Sequence, residues 1–289
     1  MEKYTNMLKQ YKFNIKENEL KTRIEEIKKE INITKEKLKT IFSCIDLTSL
    51  NTTDTSNSIK EMIDKINTFS QKFPDIQNVA AFCSYPTFIT KIKKIIIPQN
   101  VLIATVTGFP NAHTYLEVKI AETALAANDG ADEIDTVISV DKVLEKKYDE
   151  IGEELEEIKY ACRDSKLKVI LETGAIKDYQ KIYESSLIAM YAGADFIKTS
   201  TGKIDINATP EAAYIMCQSI LDFYEKTNKK VGFKVAGGIR TNKDAMLYYT
   251  IVEKILGKEW LNKNHFRIGA SKLANELLSE INENKIEYF

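Results

Sequence analysis

From about Thr40 onward, short runs of β-branched and other apolar residues alternate with amphipathic segments of helical length. That alternation restricts the fold severely, because parallel strands need long crossovers and a sheet covered on both faces reads as near-continuous apolar runs. The runs are Ile41 to Leu47, Asn78 to Cys83, Val101 to Thr107, Glu133 to Ser139, Leu167 to Glu172, Asp195 to Thr199, Val231 to Lys234 and Phe266 to Gly269. Helical stretches between them include Val118 to Asn128, Glu150 to Asp164, Lys181 to Tyr191 and Ala212 to Glu225. Thr209-Pro210-Glu211 offers an N-cap with proline at the first helical position. Eight such units in roughly 250 residues are what a (β/α)8 TIM barrel needs. An open doubly wound sheet would alternate too, but no Gly-x-Gly-x-x-Gly follows the first run.

Two segments share a local pattern: Gly130-Ala131-Asp132-Glu133-Ile134-Asp135 and Gly193-Ala194-Asp195-Phe196-Ile197-Lys198. In each, a glycine suited to a helix C′ position leads through Ala-Asp into a strand. If the two strands share a register, Asp135 and Lys198 point the same way, because side-chain direction alternates along a strand with period two.

Residues 1–39 form a Lys/Glu-rich extension ahead of the barrel at 40–289. Leu20, Ile24, Ile27, Ile31, Leu38 and Ile41 fall at spacings of four and three, with Thr34 in one slot, so a helix there buries one face. That face suits either a dimerisation helix or a cap on the barrel's N-terminal end. Met1 to Glu19 is expected to be flexible.

Composition removes other classes. With 41 basic and 42 acidic residues the net charge is −1, which gives no global field to draw in nucleic acid or an acidic membrane. The uncharged stretch Ile95 to Tyr115 contains Pro98, Gly108 and Pro110, so it is no membrane helix. Cys44, Cys83, Cys162 and Cys217 lie far apart without a Cys-x-x-Cys pair, which suits free thiols in the cytoplasm. The Lys- and Glu-rich N-terminus is unlike a secretory signal or transit peptide.

Two lysines carry the chemistry: Lys198 in Phe-Ile-Lys-Thr-Ser-Thr-Gly and Lys234 in Phe-Lys-Val-Ala-Gly-Gly-Ile-Arg. A lysine in a strand core must find a partner, shed its proton or react. An unperturbed ammonium titrates near pH 10.4, and lowering that by about three units costs roughly 4 kcal/mol, which a second cation and desolvation can supply. On adjacent strands, Lys198 and Lys234 disfavour each other's charge, so one becomes a nucleophile and the other its activator. Asp135 is the first candidate for proton transfer, and Asp46 can join the same charge network. Glu133 and Glu172 are further carboxylates that fit proton transfer or structural hydrogen bonding equally. Glycine-bearing loops at Ser200-Thr201-Gly202-Lys203, Ala236-Gly237-Gly238 and Gly269-Ala270-Ser271 suit an anion, as loops after the last barrel strands often do. Together these features suggest amine chemistry on a phosphorylated carbonyl compound.

With these motifs in hand, the chain resembles the deoxyribose-phosphate aldolase family over nearly all of Thr40 to Ile281. The resemblance rests on Ile45-Asp46-Leu47-Thr48, Cys83-Ser84-Tyr85-Pro86, Thr107-Gly108-Phe109-Pro110, the Ala131 to Asp135 segment, Leu171-Glu172-Thr173-Gly174, the two lysine motifs and Gly269-Ala270-Ser271. It implies that Lys198 forms the Schiff base, Lys234 lowers its pKa and Asp135 relays protons. It also implies that Gly202, Lys203, Gly237, Gly238, Gly269 and Ser271 hold the substrate phosphate. The implied reaction is reversible cleavage of 2-deoxy-D-ribose 5-phosphate to acetaldehyde and D-glyceraldehyde 3-phosphate, in deoxyribonucleoside catabolism, without metal or cofactor and in a homodimer. Three features depart from the family pattern: the long extension, Ala112 where a glycine often follows the Gly-Phe-Pro turn, and Tyr288 as the penultimate residue where some members end in an active-site tyrosine. Cys83 is read as a packing residue beside the substrate, since no histidine accompanies it. Two rival readings are another imine-forming barrel aldolase, which would need a three-carbon ketose pocket or a carboxylate-binding arginine where only Arg240 is near the site, and a silent barrel that uses its extension as an interaction module.

Overall fold

In the computed structural model, which describes residues 2–289, eight parallel strands close into a barrel in sequence order. They are β1 (Ile45–Thr48), β2 (Ala81–Ser84), β3 (Leu102–Thr107), β4 (Glu133–Val137), β5 (Lys166–Ile170), β6 (Phe196–Lys198), β7 (Gly232–Ala236) and β8 (Phe266–Ala270). Every expected run overlaps one of them, with ends that differ. Three helices come first: α1 (Lys3–Leu8), α2 (Glu17–Lys29) and α3 (Lys35–Ser43). Then come α4 (Ser56–Lys72), α5 (Ile89–Ile95), α6 (Leu116–Asn128), α7 (Val140–Leu144), α8 (Tyr148–Ala161) and α9 (Thr173–Ile176). The chain closes with α10 (Tyr179–Tyr191), α11 (Pro210–Thr227), α12 (Asn242–Ile255) and α13 (Lys272–Asn282). This is a (β/α)8 barrel.

Local chemistry places the elements. Thr209 caps α11 by accepting the Ala212 N–H, with Pro210 at its start, while Thr241 and Asp244 close a capping box on α12. The repeated Gly-Ala-Asp segments do equivalent work in two places. Gly130 and Gly193 take φ of 100° and 97° after α6 and α10, and the following aspartates each accept a strand N–H at 2.8 Å, Asp132 from Ile103 and Asp195 from Leu167.

Register then decides what fills the barrel. Asp135 pairs with Lys168, Lys198 with Lys234 and Lys234 with Arg267, so these side chains converge on the interior. A TIM barrel interior is ordinarily packed with branched apolar residues. Here Phe196 is the aromatic centre, with Lys168 and Arg267 lying 5.9 and 5.6 Å from its ring centroid. The ring fits because β7 opposes it with Gly232, where a Cβ would sit 2.2 Å from a ring atom.

The first run is shorter than expected. Ile41 to Ser43 belong to α3, because Leu38, Ile41 and Phe42 continue a helical stripe up to Cys44. The stripe is also broken: α2 ends at Lys29, and Thr34 restarts the helix by accepting the Lys37 N–H. Leu20, Ile24 and Ile27 are buried as α2 packs on α11 and α12, and α3 lies on α12 and α13. These helices cover the outer ring, and their apolar face is consumed within the chain. Met1 lies outside the described residues, but α1 is seated: it packs on α8, with Tyr4 buried and its N–H donating to Asp149 at 2.7 Å.

Tyr288 packs on the outside of the barrel. Its hydroxyl donates to the Lys65 carbonyl at 2.6 Å, its ring packs on Phe69 and Phe73, and Asn275 accepts its N–H. Ala112 adopts φ of 58°, the conformation a glycine would take without strain. Among the described residues, no helix is long and apolar enough to cross a membrane.

Candidate active site

Seven charged side chains meet inside the barrel, all of them buried: Asp46, Glu133, Asp135, Lys168, Lys198, Lys234 and Arg267. Asp135 is the hub, accepting from Lys168 at 2.9 Å, Lys198 at 2.8 Å and Lys234 at 2.7 Å. Asp46 accepts from Lys234 and Arg267 and lies 3.5 Å from Lys168. Glu133 takes Arg267 in a two-point contact, at 2.8 and 2.9 Å, and Lys168 at 2.6 Å.

The count of charges decides which lysine gives way. Four cations face three carboxylates, a surplus of one positive charge in a place that water reaches poorly. Arginine keeps its proton under any ordinary condition. Burial opposes the charge on Lys168 and Lys234, but Asp135 and Asp46, joined at Lys168 by Glu133, outweigh it and hold both above the usual lysine range. Among the described residues, only Asp135 lies within ion-pair distance of Lys198. Burial pulls its pKa down and Lys234 adds to that pull, against the opposing effect of Asp135. Lys198 is therefore the amine that sheds its proton most readily. Burial also opposes the ionisation of Asp46 and Asp135, but the surrounding cations win and keep both carboxyls below their usual range.

A cavity of about 260 Å³ opens above the network, and Lys198 lies in its lining. Around Lys198 the cavity gathers Gly202, Lys203, Gly237, Gly238, Gly269 and Ser271, the residues expected to meet a phosphate. Gly237 and Gly238 both have positive φ, 89° and 85°, a pair of conformations that turns the backbone tightly and that side chains resist. Gly269 also leaves room for its neighbours, since a Cβ there would come within 3.3 Å of the Lys234 stem. Ser271 and Lys272, at the start of α13, line the same cavity.

Asp46, Asp135 and Lys234 sit beneath this lining rather than in it. The structure adds Thr48, Asn51, Arg240 and Lys272 to the lining, the last two supplying further positive charge. Cys83 packs among Leu50, Ala104 and Val106, and burial pushes its thiol pKa up, as befits a packing residue. Glu172 does not join the charge cluster; its carboxylate accepts from Thr201.

Lys168 and Arg267 were open to sequence reasoning yet missed. Each is one ionisable residue between apolar neighbours inside a strand, Leu167-Lys168-Val169 and Phe266-Arg267-Ile268. That is the signature that singled out Lys198 and Lys234. Among the described residues, no three His, Cys, Asp or Glu side chains are grouped so as to hold a metal ion.

Known proteins match most of this chain. Residues 40–257 fit the model of the DeoC/LacD family aldolases. The deoxyribose-phosphate aldolase of Homo sapiens is 39% identical over 253 residues, covering 82% of this chain and 78% of that one. The Bos taurus enzyme of the same name is 38% identical over 255 residues, covering 83% and 79%. Among solved structures, deoxyribose phosphate aldolase from Aeropyrum pernix superposes with a TM-score of 0.66 at 24% identity, over 89% of this chain and 96% of that one. With that family match and those identities, the chain belongs to the DeoC/LacD family of aldolases.

Proposed function

We propose that this aldolase cleaves 2-deoxy-D-ribose 5-phosphate reversibly to acetaldehyde and D-glyceraldehyde 3-phosphate through a Schiff base on Lys198, as a step in deoxyribonucleoside breakdown. The observation that carries the reading is a buried lysine with a depressed pKa at a cavity lined by glycine loops and the cations Lys203, Arg240 and Lys272, its Nζ 2.8 Å from a carboxylate. The Lys198 amine adds to the C1 aldehyde of the open-chain sugar and expels water, leaving a protonated imine. Asp135, through a water molecule, takes the C3 hydroxyl proton while the C2–C3 bonding pair moves toward the imine. Glyceraldehyde 3-phosphate departs and leaves an enamine. Protonation at C2 and addition of water then release acetaldehyde and restore the amine.

Asp135 is too weak a base to keep a proton, since burial's opposition is outweighed by three lysines around it. It serves as a relay, with Lys234 as the neighbouring acid. Gly202, Lys203, Gly237, Gly238, Gly269 and Ser271 take the phosphate. The four buried free cysteines favour the cytoplasm as its compartment.

The test is borohydride trapping. Incubation with acetaldehyde and reduction should leave an ethyl group on Lys198, located by mass after digestion. An adduct on another lysine, or none from folded protein, would reject the reading.

We also infer a homodimer, with its contact on α6 now that the stripe of α2 and α3 is buried. Tyr115, just ahead of α6, is 80% exposed, and Val118 and Leu125 on that helix are 50% and 65% exposed. Light scattering of the full chain should give twice the 32.9 kDa protomer mass, and a monomer at micromolar concentration would refute the contact.

A further inference from the structure

Glu172 follows β5 in the left-handed backbone region, with φ of 57° and ψ of 56°. That conformation costs a non-glycine residue about 1–2 kcal/mol and persists only where the surroundings fix it. Its side chain is 4% exposed, and its carboxylate accepts the Thr201 N–H at 3.2 Å together with the Thr201 hydroxyl. The same hydroxyl accepts the Lys203 N–H at 3.1 Å. A chain of contacts therefore runs from Glu172 through Thr201 to Lys203.

The two loops are seated on each other at further points. The Thr173 N–H donates to the Thr199 carbonyl at 3.0 Å, and a Cβ on Gly174 would lie 1.8 Å from the Ile206 carbonyl oxygen. From Thr199 to Thr209 the chain has no regular structure of its own. Yet this segment delivers Thr201, Gly202 and Lys203 to the cavity, whereas Glu172 is absent from its lining. A carboxylate so close to an anion site opposes the anion electrostatically. Its presence is explained if its two acceptor contacts order the donors that the anion needs.

We propose that Glu172 is a positioning residue for the anion-gripping loop, so that preference for a phosphorylated substrate depends on a carboxylate that touches no substrate. This deepens the aldolase reading and rests on it for the identity of the substrate. Glu172→Gly is the informative variant, because glycine adopts the same backbone conformation without strain and removes only the side chain.

The readouts are two. In Glu172→Gly, the ratio of kcat/KM for 2-deoxyribose 5-phosphate to that for 2-deoxyribose should fall about tenfold, mainly through KM. Calorimetric titration with inorganic phosphate should weaken by a similar factor. Glu172→Gln, which keeps one acceptor oxygen, should lose about threefold on both, and it remains informative if the glycine variant does not fold. A ratio and a phosphate affinity both within twofold of the unsubstituted protein would overturn the proposal. So would equal losses on the two sugars with phosphate binding unchanged, which would make Glu172 a proton-transfer or folding residue. The phosphate titration needs no turnover, so failure of acetaldehyde trapping on Lys198 would bring down the aldolase reading separately.

Discussion

Lys198→Met should turn over 2-deoxyribose 5-phosphate at least about 10⁴-fold more slowly than the unsubstituted protein and form no adduct with acetaldehyde and borohydride. The same variant should be as stable or up to about 2 kcal/mol more stable, read as the midpoint of chemical denaturation. The two expectations have one cause. Lys198 is the surplus cation in a cluster of four cations and three carboxylates, and its ion-pair partner, Asp135, keeps Lys168 and Lys234 after the change. Methionine fills a similar volume without a charge to desolvate. A merely structural lysine in that position would give the reverse pattern, with stability lost and activity following it down. Retained turnover, or a large drop in stability, would remove Lys198 from the role of nucleophile.

The sequence made the barrel legible because a sheet buried on both faces writes its strands as apolar runs. All eight strands lie within or beside those runs. Boundaries were harder where helix and strand are both apolar, as at Ile41 to Ser43, which end α3 and only then give way to β1. The pair Asp135 and Lys198 could be aligned from the repeated Gly-Ala-Asp segments; the ladders run from Asp135 through Lys168 to Phe196, two residues before Lys198, and that even offset keeps both side chains on the interior face, where they meet at 2.8 Å. Lys168 escaped because no glycine-bearing loop directly follows it to advertise a function, and Arg267 because the short run Phe266 to Gly269 reads simply as an apolar strand, although their burial problem is the same. Lys272 was lost among ordinary surface lysines, since only the closing of the barrel brings the start of α13 beside the loops after β6 and β7. Glu172 could not be assigned, because its carboxylate meets Thr201 on another loop, and residues 171–174 carry no signature of that contact.

Arg267→Met should cost about 3–5 kcal/mol of stability, the loss expected when a buried charge is stripped of its partner. The guanidinium serves two carboxylates at once, Asp46 through one nitrogen and Glu133 through a two-point contact, and all three groups are fully buried. After the change Glu133 keeps only Lys168, and Asp46 keeps Lys234 with Lys168 farther off. The variant should also shift the pH dependence, and the sign follows from the charge count. Removing Arg267 leaves three ammonium groups facing three carboxylates, so no cation is surplus and Lys198 holds its proton more tightly. Its neutral fraction near pH 7 falls, and the acidic limb of kcat/KM should move to higher pH by about one unit, equivalent to roughly 1.4 kcal/mol. A general loss of stability would lower activity at every pH without moving that limb. An unmoved limb in folded protein would mean that Lys198 is tuned by its immediate neighbours alone, and that the charge balance of the whole barrel interior plays no part in making it a nucleophile.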